Sequence, residues 1–239
     1  SDLSRGKLSE ALVRSKIAVI GSGSLGSMLC ELLIRAGVIS LTCIDHDFLQ
    51  VGNLCRHTLD LRDINKSKSE ALASKLNAIS PHAKVYHENR SLSVDIDGCV
   101  TPDLSRFDII IDTTGNDAVL DVVAKGIAHN GVVFFSTAVG LGAKRIYMYL
   151  NKGAHPTTSD FSRLCEPYFQ LDREDCDIGE LPRDGIGCWH PLFPARADDM
   201  WLAAATSIKV LEAFCMDTEH STLTVILENK DVGGIFAGY

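Results

Sequence analysis

The 239-residue sequence has no C-x-x-C pair among its eight cysteines, so neither a zinc knuckle nor a redox dithiol is indicated. It has no excess of positive charge. Its 23 Lys and Arg stand against 31 Asp and Glu, and the net charge of -8 argues against a nucleic-acid-binding surface, though not against a local basic pocket. No apolar run is long enough to span a bilayer, no secretory signal is evident, and no internal repeat or low-complexity tract is visible. The scattered cysteines fit a reducing cytoplasm, with Cys30 and Cys43 reading as small core residues in apolar stretches. What remains is the composition of an ordinary globular protein, 46% hydrophobic and 23% charged, long enough for one large core. The chain starts at Ser1 without methionine, and is expected to be a domain cut from a longer protein.

The informative stretch runs from Lys16 to Arg56. Ile17 to Ile20 form a short apolar run that stops at glycine, the pattern of a strand buried on both faces. Gly21, Gly23 and Gly26 then have G-x-G-x-x-G spacing, which allows a sharp turn, close approach of backbone to phosphate, and tight packing of the next helix. That helix is predicted over Ser24 to Arg35, closed by Ala36-Gly37, with its first amides and positive dipole end facing a ligand. A second strand, Leu41 to Ile44, ends in Asp45, near the separation at which a carboxylate meets a ribose hydroxyl.

The loop after Asp45 is unusual for a dehydrogenase. Asp47, Asn53, Arg56 and His57 follow within it, at the carboxyl end of a parallel strand and so beside the ligand crevice. A diphosphate lying on a helix N-terminus needs little more charge, whereas a triphosphate with magnesium needs cations and carboxylates. The loop therefore favours ATP with Mg2+. Asp45-x-Asp47, Asn53-Leu54-x-Arg56 and the later Lys68 resemble the ubiquitin-activating enzyme superfamily that includes ThiF and MoeB. The resemblance continues through SEALASKLNAISPHAKV, DIIIDTTGN and TSIKVLEAF, and the NLCRH form is closer to bacterial members associated with a conjugating domain.

Along the rest of the chain, helices are predicted over Leu3 to Arg14, Asn65 to Ala78, Asp117 to His129 and Asp198 to Cys215. Strands are predicted at Val85 to His87, Phe107 to Ile111, Val132 to Thr137 and Thr222 to Leu227. Lys144 to Leu150 alternates and reads as a half-exposed antiparallel strand near the sheet edge. The expected fold is an α/β, Rossmann-like, mainly parallel sheet with helices on both faces. It forms one domain over residues 1–239, with a long, weakly periodic loop embedded at 151–197.

The resemblance implies ATP-dependent adenylation of the C-terminal carboxylate of a ubiquitin-like or sulfur-carrier protein, by a chain that pairs as a homodimer or with a second activating-type domain. It implies that Asp45 holds the ribose, Arg56 and Lys68 the phosphates, and Asn53 a phosphate or a backbone. An arginine ahead of the first strand, Arg5 or Arg14, can reach phosphates in relatives. The family commonly has an aspartate for magnesium where this chain has Gly115, leaving Asp47, Asp112 or Asp117 to take that part. In relatives that form a thioester, a loop cysteine takes the acyl group. Cys188, flanked by glycines and two residues from His190, is the candidate, with Cys165 and Cys176 as competitors. A nicotinamide-dependent oxidoreductase would share the glycine turn and Asp45 but give no role to Asp47, Arg56 and Lys68. A non-catalytic subunit of a heterodimer would share all of the fold.

Overall fold

The chain is described here by a computed structural model, which covers residues 6–127, 131–153, 156–175, 195–232 and 235–239. A short helix α1 (Glu10–Arg14) leads into β1 (Lys16–Ile20), and α2 (Ser24–Arg35) connects it to β2 (Ser40–Ile44). A loop with a 3-10 helix at Val51–Arg56 leads to α3 (Lys68–Asn77) and β3 (Lys84–Glu88). A small hairpin, β4 (Ser93–Val94) with β5 (Val100–Thr101), precedes β6 (Ile109–Asp112), α4 (Asp117–Gly126) and β7 (Val133–Val139). Then come β8 (Arg145–Asn151), α5 (Ser159–Asp175), α6 (Ala197–Met216), β9 (Thr222–Glu228) and a terminal hairpin of β10 (Lys230–Val232) and β11 (Ile235–Gly238).

Seven strands form one sheet in the order β3-β2-β1-β6-β7-β8-β9. The first five are parallel, as the alternation of strands and helices requires, while β8 pairs antiparallel with β7 and β9 antiparallel with β8. One core joins the sheet to α2, α3 and α6, and a second lies on the opposite face under α4 and α5. Ile17, Ala18 and Val19 are wholly buried, because both sheet faces are covered at β1. In α6, Met200, Ala203, Ala204, Ser207, Ile208, Leu211 and Phe214 repeat at helical spacing and are buried together. Helix α2 ends in a Schellman closure, with Val38 N–H donating to Leu33 C=O at 3.0 Å and Gly37 N–H to Ile34 C=O at 3.1 Å. Gly37 takes φ +103°, a conformation that L side chains rarely adopt.

Two expectations are corrected. Strand β8 is buried along its whole length rather than half exposed, because β9 covers its edge and α5 its second face. The tyrosines on that face are stacked by α5, with Tyr149 5.5 Å from Phe161 and Tyr147 4.7 Å from Phe169 between ring centroids. The 151–197 stretch is not loop throughout, since α5 occupies 17 of its residues. Phe161, Cys165 and Asp172 point inward at helical spacing, but polar neighbours and Pro167 inside the helix mask the pattern. Among the described residues, no helix is long and apolar enough to cross a membrane.

Candidate nucleotide site

The cleft lies at the carboxyl ends of β1, β2 and β6, where doubly wound sheets bind ligands. Its volume is about 420 Å³, and Gly21, Gly23, Asp45, Asp47, Asn53, His57, Lys68 and Thr113 are among its walls. The glycine turn is made by contact. A Cβ on Gly26 would lie 2.0 Å from the Gly21 carbonyl oxygen and 2.6 Å from Thr113 Oγ1, so α2 can approach the turn only without a side chain there. Gly21 has φ +91° and the same neighbour at 2.9 Å. Gly23 is different: it caps α2, faces the cleft, and has no atom within 4 Å of the position a Cβ would take. Thr113 holds the turn against β6, its hydroxyl lying 3.0 Å from the Ile20 carbonyl and 2.9 Å from that of Gly21.

Asp45 is half-buried and bound to backbone on both oxygens. Oδ2 accepts from Ser22 N–H at 2.6 Å and Oδ1 from Asp47 N–H at 2.8 Å. Each carboxylate oxygen keeps a further lone pair for a ligand hydroxyl. The loop beyond is stitched to the start of α3: Leu49 N–H donates to Lys66 C=O, Lys68 N–H to Asp47 C=O, and Ser69 Oγ–H to Asp45 C=O. This stitching brings the Lys68 ammonium 2.9 Å from Asp47 Oδ2. Lys68 is not the exposed residue of a helical first turn that its position suggests; its side chain is only 8% accessible, while Asp47 is 46% accessible. Lys66 lies before the N-cap Ser67 and pairs with Asp63 instead.

Asn53 lines the cleft, and its Oδ1 accepts from Gln50 N–H at 3.0 Å, capping the 3-10 helix. Arg56, at the end of that helix, is buried, with one guanidinium nitrogen 3.8 Å from Cys55 Sγ, and is not among the residues that line the cleft. His57 lines it in its stead. Its Nδ1 accepts from Leu59 N–H at 3.0 Å, so Nε2 carries the proton and donates to the Ser22 carbonyl at 2.7 Å. Burial lowers its pKa to about 4, so the ring is neutral at physiological pH. The spacing of the motif gives no sign of this role, since His57 is distant in sequence from the turn it holds.

Asp112 is buried behind the cleft, in a smaller adjoining cavity of about 170 Å³ that it shares with Gly115, Tyr147 and Asp172. It accepts from Thr114 N–H and Oγ1–H and from Ser136 Oγ–H, and burial raises its pKa above the ordinary carboxylate value. Gly115 has φ +61°, in the left-handed region that favours glycine. Asp45, His46 and Asp47 bring one potential ligand atom each within 4.8 Å of one another. A magnesium ion is commonly held by one or two carboxylates and the substrate phosphates, and the accessible Asp47 carboxylate fits that donor set.

Of the thiol candidates, Cys188 and Cys176 lie outside the described residues. Cys165 is buried in α5, and burial pushes its thiol up to about 12, which removes it as a ready nucleophile. Arg5 also lies outside the described residues, and Arg14 is exposed and paired with Glu10 at 2.7 Å.

Comparisons with known proteins bear on the fold and the family. The crystal structure of PaaA superposes with a TM-score of 0.63 at 19% identity, over 93% of this chain and 72% of that one, a likeness of fold. The ATP-dependent ubiquitin transferase-like protein Cap2 of Enterobacter hormaechei subsp. hoffmannii is 37% identical over 216 residues, covering 87% of this chain and 34% of Cap2. The molybdopterin-synthase adenylyltransferase of Haemophilus influenzae is 30% identical over 157 residues, 65% of this chain and 63% of that protein. The chain thus spans about a third of one relative and under two thirds of the other. The ThiF family matches residues 3–224, and this chain belongs to the ThiF family.

Proposed function

We propose that the chain is an adenylating domain that moves AMP from ATP onto the C-terminal carboxylate of a ubiquitin-like or sulfur-carrier protein. The observation that carries this reading is the Lys68 ammonium held on Asp47 beside a dinucleotide-type glycine turn. A nicotinamide cofactor would have no use for that pair, and membership of the ThiF family counts against the oxidoreductase alternative. A carboxylate is a poor acyl donor. Its oxygen attacks the α-phosphorus, the bond to pyrophosphate breaks, and the acyl group gains AMP as a leaving group.

In this reading the α2 N-terminus and its glycines hold phosphate oxygens, Asp45 holds the ribose, and Lys68 stabilises charge developing at the α-phosphate. Asn53 positions a phosphate or the backbone of the 3-10 helix. Lys68 lines the cleft and Arg56 does not, so the principal cation is Lys68. Asp47 holds Mg2+, which when bound neutralises charge on the triphosphate. The cavity beyond Asn116 gives room for an incoming carboxyl terminus. Where a thioester follows, Cys188 attacks the acyl carbon and releases AMP.

The carrier protein and a conjugating partner belong to the same proposal, supported by the names and greater lengths of the relatives; pairing into a homodimer belongs to it on the family resemblance alone. A second reading, a non-catalytic subunit of a heterodimer, is favoured by Gly115 alone. Calorimetry with ATP, NAD and NADP tests the nucleotide: selective binding of ATP with magnesium is expected, and tighter binding of either nicotinamide nucleotide contradicts it. Incubation with ATP and a carrier should give a thiol-sensitive conjugate that Cys188→Ala abolishes. A conjugate that survives that change reassigns the nucleophile.

A further inference from the structure

The peptide groups on either side of Ser22 are held from two directions. Ser22 N–H donates to Asp45 Oδ2 at 2.6 Å, and Ser22 C=O accepts from His57 Nε2–H at 2.7 Å. Because a trans peptide is planar with its C=O and N–H opposed, fixing the Ser22 carbonyl also fixes the direction of the Gly23 N–H. Gly23 caps α2, so the amides of the first turn follow in register. We propose that His57 is a positioning residue for the nucleotide, aiming the first amides of α2 into the cleft through its bond to Ser22. The inference rests on the reading of the cleft as a nucleotide site.

The ring is suited to this by its surroundings. Its other nitrogen is bound by Leu59 N–H, which selects the Nε2–H tautomer without any need for a carboxylate. The next residue, Thr58, is held by Lys75 Nζ on its carbonyl, and the same ammonium lies 3.0 Å from Glu31 of α2. The loop that carries His57 is thereby fastened to both α2 and α3, so the imidazole is a rigid strut between the loop and the turn. Lys68 and Lys75 of α3 disfavour a charged ring and Asp63 favours one; burial outweighs them all. A neutral donor at this point holds the carbonyl without adding a cation that would compete with the amides for the phosphate.

The test compares His57→Phe, which keeps a ring but has no donor, with His57→Gln, whose amide can donate to the same carbonyl. ATP binding is read by calorimetry, and folding by thermal melts. The Phe variant is expected to bind ATP about tenfold more weakly, and the Gln variant within about threefold of the wild type. Equal binding by Phe and wild type, or a loss in Gln as large as in Phe, overturns the proposal. Nitrogen chemical shifts of His57 in the wild-type chain without nucleotide provide a separate readout. Protonated Nε2 and unprotonated Nδ1 at pH 7 are expected, and the opposite tautomer overturns the strut whether or not ATP binds. Failure of the wild type to bind ATP while the tautomer is as expected sinks the nucleotide reading and the positioning role with it, but leaves the strut standing.

Discussion

Gly23 and Gly26 are three residues apart in the same motif, yet the structure gives them opposite sensitivities to a single methyl group. In Gly26→Ala the new Cβ would meet the Gly21 carbonyl oxygen at 2.0 Å, more than 1 Å inside ordinary contact, and that oxygen belongs to backbone pinned by β1 and Thr113. Thr113 can rotate its hydroxyl away from the 2.6 Å contact; the carbonyl has no such freedom. Overpacking of this kind costs roughly 3 kcal/mol. The helix propensity of Ala over Gly offsets about 1 kcal/mol of that, leaving a loss of about 2 kcal/mol and a melting temperature lower by roughly 4–8 °C for a chain of this size. In Gly23→Ala nothing lies within 4 Å of the new Cβ. The poorer N-cap and the stiffer unfolded chain nearly cancel, so the melt should move by less than about 2 °C. The methyl then stands in the cleft where a phosphate would approach, and ATP binding should weaken while folding does not. Melts and calorimetry on both variants decide the matter. A Gly26→Ala protein that melts with the wild type, or a Gly23→Ala protein that binds ATP as tightly as the wild type, refutes the reasoning.

Three further outcomes follow from named contacts. Lys68→Met keeps the buried stem and removes the ammonium from Asp47, so pyrophosphate exchange should fall about a hundredfold while the melt changes by less than about 3 °C; unchanged exchange moves the role elsewhere. His57 has a folded pKa of about 4 against an ordinary value of 6.5, so the unfolded chain takes the proton first. Its contribution to stability is complete above pH 6.5 and declines by up to about 1.4 kcal/mol per unit as pH falls towards 4; in urea melts across that window the wild type should lose stability relative to His57→Gln on acidification, and parallel curves would contradict it. Arg145 is buried against Asp172, which also accepts from Tyr147 Oη–H at 2.6 Å. Arg145→Met should cost about 3–5 kcal/mol by leaving that carboxylate uncompensated, and the double variant with Asp172→Leu should recover part of it; a neutral single variant would show that the pair is not holding α5 to β8.

The sequence was legible where local pattern and tertiary environment agree. In β1, α2 and β2, apolar runs, the glycine spacing and Gly37 all point to one structure, and α2 is observed over the residues predicted, Ser24–Arg35. It was less legible where burial depends on a distant element. Alternation in β8 indicates an exposed face, but α5 arrives later in the chain to cover it, and α5 itself is obscured by Pro167 and its charged neighbours. The site followed the same division. Asp45, Asp47, Asn53 and Lys68 converge on the cleft as expected, whereas the burial of Arg56 and the bond from His57 to Ser22 depend on how the 3-10 helix is packed. No periodicity in NLCRH encodes that choice.

The central claim is that ATP and a carrier carboxylate react in this cleft, and isotope exchange between pyrophosphate and ATP measures that step directly. With candidate ubiquitin-like or sulfur-carrier proteins present, exchange should appear with one of them and vanish when its C-terminal residues are removed. ATP binding with no carrier-dependent exchange from any candidate would contradict the account and favour a non-catalytic subunit.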